Sequence, residues 1–201
     1  MIAIIKYNAG NVQSVQFALG RMGVEAQVTD DIGTILGAEK VIFPGVGHAN
    51  AAMEYLRERK LDQIIAGLQQ PVLGICLGMQ LMCDHSEEGD TKCLGIFDTP
   101  VKLFRPSYDG RLGSMQKVPQ VGWNNIYDCS SVLFSGLPAE PYLYTVHSYY
   151  AALCSNTVAK TDYALPFSAA LQKNNFYAVQ FHPEKSGVVG ESILKNFIQY
   201  T

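Results

Sequence analysis

The chain has no apolar run approaching the roughly 18 residues a membrane helix needs, and it has no basic excess. Lys and Arg number 15 against 18 Asp and Glu, a formal charge of −3. No membrane partner and no nucleic-acid partner are therefore expected. Cysteine is sparse and badly arranged for structural use: Cys76, Cys83, Cys93, Cys129 and Cys154 are odd in number and form no C-x-x-C pair. A disulfide framework and a zinc site are both poor readings, and a reducing cytoplasm is the expected location. The N-terminus lacks the basic start and small-residue cleavage site of a signal peptide. Repeats, low-complexity tracts and linkers are missing too, so one domain spanning residues 1–201 is expected, long enough for a large core.

What is present centres on Pro71-Val72-Leu73-Gly74-Ile75-Cys76-Leu77-Gly78-Met79-Gln80. A short apolar run leads to a cysteine set between two glycines, and a helix-like pattern follows. Gly-x-Cys-x-Gly is the cysteine form of the nucleophile elbow, a sharp strand-to-helix turn that exposes a reactive side chain. Glycines two positions either side let strand and helix pass closely. The helix start then lies beneath the sulfur, where its positive end favours thiolate. A buried cysteine that merely packs is the competing reading.

The remaining pattern places this stretch in a fold. Ile2 to Lys6, Val24 to Val28 and Lys40 to Phe43 read as short strands, and residues 12–22, 48–59 and 61–68 as helices. Alternation of this kind predicts an α/β fold: a three-layer, mostly parallel, flavodoxin-like sheet flanked by helices. In such sheets sites collect at the carboxyl ends of strands, where both the Pro44–Gly47 loop and Cys76 fall. Residues 84–99 read as polar loop. The C-terminal half is expected to add antiparallel strands at 100–105, 123–127, 143–150, 167–172 and 176–181, with turns at Asp109-Gly110 and elsewhere, and a closing helix over 188–200.

A thiolate nucleophile needs a base and a group to orient that base. Of the four histidines, His182 is the most informative, because Phe181-His182-Pro183-Glu184 follows an apolar strand. Proline biases His182 to an extended backbone, and side chains two apart on an extended chain share a face. That predicts an imidazole held by the Glu184 carboxylate; a plain surface pair is the alternative. Acyl chemistry also needs oxyanion donors. The Leu77 N–H is one candidate, and the Gly45-Val46-Gly47 turn, through Val46 and Gly47, is the other. His48 and His147 stay open between structural and functional roles. The lone Trp123 is expected in the core.

Together these motifs resemble the class I (triad) glutamine amidotransferases. Within that family the chain looks like the glutaminase subunits of imidazole glycerol phosphate synthases. The narrower likeness rests on Pro44-Gly45-Val46-Gly47-His48, Pro119-Gln120-Val121-Gly122-Trp123-Asn124, Val146-His147-Ser148-Tyr149-Tyr150 and Glu184-Lys185-Ser186-Gly187. The resemblance implies hydrolysis of L-glutamine to glutamate and ammonia through a Cys76 thioester, with His182 as proton shuttle and Glu184 as its orienter. Gln80, Glu88, Val146, Ser148 and Tyr149 would hold the substrate, although Glu87 is an adjacent alternative to Glu88. Asn11, Trp123 and Lys185 would face a (βα)₈-barrel cyclase in a heterodimer that uses the ammonia in histidine biosynthesis. No metal or cofactor is implied. Three alternatives remain: the same chemistry feeding another synthase, such as one for surface-sugar amination; a non-catalytic partner subunit; and a cysteine peptidase.

Overall fold

The computed structural model describes residues 1–8, 12–105, 108–109 and 114–201. Its first half is β1 (Ile2–Ile5), α1 (Val12–Arg21), β2 (Ala26–Thr29), α2 (Ile32–Gly37), β3 (Lys40–Phe43), α3 (Ala49–Glu58), α4 (Leu61–Ala66), β4 (Val72–Ile75) and α5 (Leu77–Met82). The second half contains β5 (His85–Ser86), β6 (Thr91–Lys92), β7 (Pro100–Leu103), β8 (Tyr108–Asp109), β9 (Ser114–Met115), β10 (Gln120–Asn125), β11 (Tyr142–His147), β12 (Tyr149–Ala151), β13 (Thr157–Tyr163), β14 (Leu165–Lys173), β15 (Phe176–Val179) and α6 (Gly187–Tyr200).

Seven strands form the central sheet in the order β13-β14-β15-β4-β3-β1-β2. Five run parallel, and β14 and β13 add antiparallel pairs at one edge. The expected mostly parallel α/β sheet with antiparallel additions is thus present. Strand alternation divides the core in two. Ala3, Ile5, Val41 and Phe43 face the cluster holding Met53, Leu56 and Ile65. Ile2, Ile4, Ile42 and Leu73 face Val15, Leu19, Ile193 and Phe197. Each such fully buried aliphatic or aromatic side chain contributes about 1.5–3 kcal/mol. Two covered faces demand two helical layers, which is why β1 and β4 are buried at every position and β3 at all but Lys40.

Several sequence expectations need correction. Helix α2 has no counterpart among them, because its six residues include Gly33 and Gly37 and are too few to show a period. Asp31 caps it, accepting the Thr34 N–H at 2.7 Å. The second strand lies at Ala26–Thr29 rather than starting at Val24. Residues 84–99 are not a polar loop throughout, since β5 and β6 pair there and Cys93, Ile96 and Phe97 are buried. The strand expected over 143–150 breaks at Ser148 into β11 and β12, which join different sheets. Edge strand β13 is an addition, its polar residues hiding the alternation. Asn11 and Gly110 lie outside the described residues. Among the described residues no helix is long and apolar enough to cross a membrane.

Candidate active site

Cys76 sits between β4 and α5 with φ 53° and ψ −108°, a conformation non-glycine residues rarely adopt. Such strain persists only where the surroundings enforce it, and the glycines show how. A Cβ on Gly78 would fall 1.8 Å from the Phe43 carbonyl oxygen, and one on Gly74 2.8 Å from the Met82 sulfur. Strand and helix therefore cross at a separation only glycine permits. The sequence expectation of an elbow is met, for the physical reason given.

The parallel pairing of β4 with β15 brings the end of the second strand to the same place. His182 follows it with an extended backbone, and Pro183–Lys185 turn at once into a single 3₁₀ turn. That turn, and not extended alternation, swings Glu184 back beneath the imidazole. Nδ1 of His182 donates to Glu184 Oε1 at 2.8 Å, with both side chains buried. Burial by itself would lower the basicity of His182. The neighbouring Cys76 sulfur, as an accepting anion, and the Glu184 carboxylate outweigh it and raise the pKa to about 10. His182 Nε2 has no partner at ordinary hydrogen-bond geometry among the described residues. The Cys76–His182 contact is thus looser than a hydrogen bond, as is common before substrate arrives.

Backbone contacts fix the histidine further. Its N–H donates to the Tyr144 carbonyl at 2.9 Å. Buried Ser186 bridges the same two residues, accepting the Tyr144 N–H at 2.9 Å and donating to the His182 carbonyl at 2.7 Å. Ser186 occupies the first cap position of α6 yet makes no side-chain cap bond. A serine there ordinarily caps the helix; this one ties His182 to β11 instead. Nothing in the local sequence marks Ser186 or Tyr144 for this role, since the bridge joins segments far apart in the chain.

A cavity of about 300 Å³ opens onto Cys76. It is lined by Val46, Gly47, Leu77, Gln80, Glu88, Pro119, Val146, His147, Ser148 and Tyr149, so all eight residues expected to serve substrate and oxyanion lie here. Glu88 lines it, whereas Glu87 lines a different hollow beside Lys102 and Arg105 and accepts the Leu103 N–H at 2.8 Å. Of the two carboxylates, Glu88 is the one that lines the Cys76 cavity. Its Oε2 accepts the Ala49 N–H at 2.8 Å. Gln80 donates both amide hydrogens inward, to the Tyr149 carbonyl at 2.9 Å and to Gln180 Oε1 at 3.0 Å, which leaves its own carbonyl oxygen to accept.

The oxyanion candidates are differently placed. The Leu77 N–H donates to the Gly45 carbonyl at 3.2 Å, so it is engaged and not directed at an incoming oxygen. Gly45 is pinned there, because a Cβ would meet Tyr7 Oη at 2.0 Å, and that hydroxyl donates to the Pro44 carbonyl at 2.6 Å. Gly47 has φ 123° and open space around it.

His147 is a wall of the cavity whose ring packs against Phe104 and Phe167. Its Nδ1 donates to the Tyr149 carbonyl at 2.7 Å, and Nε2 is buried without a partner among the described residues. Burial, together with the nearby His182, lowers its pKa to about 4. His147 is therefore a neutral, fixed wall, while exposed His48 starts α3 without a side-chain cap bond.

Trp123 is 46% exposed and not in the core, which corrects the expectation from its type. It stacks on Tyr142 at 5.7 Å and meets Tyr144 edge-on at 6.1 Å; Tyr144 in turn lies 6.5 Å from His182. With exposed Val121 they form an apolar face on the β10–β11 ribbon. Lys185 is also exposed.

The glutamine amidotransferase class-I family model matches residues 4–200. The chain is 57% identical over 198 residues to the imidazole glycerol phosphate synthase subunit HisH of Bacteroides fragilis, covering 98% of each. It is 44% identical over 200 residues to the protein of that name from Yersinia pestis, again covering 98% of each. Among solved structures it resembles a putative GMP synthase component from Thermoplasma acidophilum. That match has a TM-score of 0.73 at 20% identity, covering 98% of this chain and 92% of the other, and it speaks to the fold alone.

Proposed function

The chain belongs to the class-I glutamine amidotransferases, and we propose that it is the glutaminase subunit of an imidazole glycerol phosphate synthase. It hydrolyses the side-chain amide of L-glutamine and supplies ammonia to a cyclase partner in histidine biosynthesis. The observation that carries the chemistry is a strained Cys76 that lines the cavity and adjoins a buried His182–Glu184 pair.

In this reading residues 1–201 act as one domain. Glutamine enters with its ammonium group toward Glu88 and its amide toward Cys76. Gln80, Val146, Ser148 and Tyr149 complete the pocket. The Cys76 sulfur, its proton transferred to His182, attacks the amide carbon. His182 then returns the proton to the departing nitrogen, and ammonia leaves a glutamyl thioester. Water, deprotonated by His182, hydrolyses the thioester to glutamate and restores the thiol. Glu184 holds the imidazole in the tautomer that presents Nε2, and stabilises the imidazolium. Oxyanion donors are the N–H groups of Leu77 and of the Val46–Gly47 turn, once rearranged. The half-exposed Trp123, with Lys185 and Asn11, contributes to a heterodimer interface with a (βα)₈-barrel cyclase.

Replacing Cys76 by alanine tests the reading. Glutamine-dependent synthesis by the complex should disappear while synthesis from added ammonium persists. Continued glutamate release by that variant would overturn it.

A further inference from the structure

The pairing of β15 with β4 sets Val179 against Ile75, and the Cys76 N–H continues it by donating to the Val179 carbonyl at 2.8 Å. The residues just beyond, Cys76 and Gln180, are thereby neighbours. Gln180 is 1% exposed, and a buried amide needs partners for its polar atoms. Its Nε2 lies 3.7 Å from Cys76 Sγ, within the range for a hydrogen bond to sulfur.

Chemistry fixes which end of the amide faces the sulfur. The Tyr149 carbonyl can only accept, so the nitrogen of Gln80 must face it at 2.9 Å. The second hydrogen on that nitrogen then points at Gln180, 3.0 Å away, and requires an oxygen there. The nitrogen of Gln180 is left for Cys76. A flip would set two NH₂ groups against each other, leaving the Gln180 nitrogen facing no acceptor there and the second Gln80 hydrogen unpaired in a buried site.

We propose that Gln180 is a further catalytic residue: its amide N–H donates to Cys76 Sγ and holds the sulfur as thiolate, oriented by Gln80 and the Tyr149 carbonyl. This rests on Cys76 being the nucleophile. The proton leaves sulfur for His182 Nε2, and the negative sulfur becomes a good acceptor for the Gln180 N–H. The Val146 carbonyl, 3.9 Å from the sulfur, can only accept and so favours the neutral thiol. Losing the Gln180 donor therefore shifts the balance toward thiol. Glu88, Val146, Ser148 and Tyr149, assigned above to the substrate, make no hydrogen bond to Gln180, and Gln80 keeps its bond to the Tyr149 carbonyl.

The test is alkylation of the full-length chain by iodoacetamide between pH 5 and 9, with the Cys76 peptide quantified by mass spectrometry. Gln180→Glu keeps the shape and an oxygen facing Gln80 but replaces the donor; Gln180→Met removes both polar atoms at similar size. In each, the midpoint for Cys76 alkylation should rise by about one to two pH units, and kcat should fall about ten- to a hundredfold. That range matches a hydrogen bond to a charged group. The KM for glutamine should change much less. An unchanged midpoint in folded Gln180→Glu would overturn the proposal, even if kcat or Tm dropped. Failure of the underlying reading would look different: in the unsubstituted chain, Cys76 would alkylate no faster than the half-buried Cys129.

Discussion

The backbone N–H of Leu77 donates to the Gly45 carbonyl oxygen at 3.2 Å. An oxyanion at Cys76 would need that N–H, so the Gly45 carbonyl competes with the transition state for its donor. In the proposed reading the nucleophile, base and orienter are in place, but the Leu77 donor is occupied by the protein's own backbone.

Turnover by the isolated chain should accordingly be slow, and binding of the cyclase with its ligand should raise kcat. Recovery of one oxyanion donor is worth on the order of 10²–10³ in rate. The KM for glutamine should move less, because the substrate walls are already formed. A glutaminase assay with and without partner checks this, and equal rates for the free chain and the complex would refute it.

His147 makes the fold sensitive to acid. Its folded pKa, about 4, lies below the ordinary 6.5, so the fold binds the neutral ring. The stabilisation is complete above pH 6.5 and is lost as pH falls from 6.5 toward 4, about 3 kcal/mol in all. His182 has the opposite sign: with its pKa raised to about 10, its contribution is full below 6.5 and fades as pH rises toward 10. Melting curves from pH 7 to 4 should show a steep acid limb that flattens in His147→Leu. The same slope in both proteins would exclude His147 as the cause.

Trp123 tests the partner surface. It is half-exposed and stacked on Tyr142, an aromatic anchor of the kind that dominates interfaces. Trp123→Ala should weaken association with the cyclase by about thirtyfold or more, the scale of a hot-spot residue. Stability of the free chain should change little. Titration calorimetry and a thermal melt separate the two, and undiminished affinity would remove Trp123 from the interface.

The elbow at Cys76 is legible in the sequence because its requirements are local. A strained turn between a short strand and a helix needs small residues two positions either side of it, and Gly74, Cys76 and Gly78 carry that within one short stretch. His182 and Glu184 are legible for the same reason, although a 3₁₀ turn brings them together where extended alternation was expected. Helix α2 and strand β13 are illegible because one is too short and the other too polar to display a period.

By itself, then, the sequence determined the alternating α/β layout, the elbow and the His182–Glu184 pair, since each depends on residues adjacent in the chain. Tertiary structure decided the rest. Gln180 meets Cys76 only through the β4–β15 register, and Ser186 reaches β11 only because the β10–β11 ribbon packs against the turn after β15. Glu88, not Glu87, faces the cavity because of how the loop packs on α3, and Leu77 loses its free N–H to the carbonyl of Gly45, on the loop after a different strand. No local pattern encodes such contacts. They follow from which strands pair, and in what register.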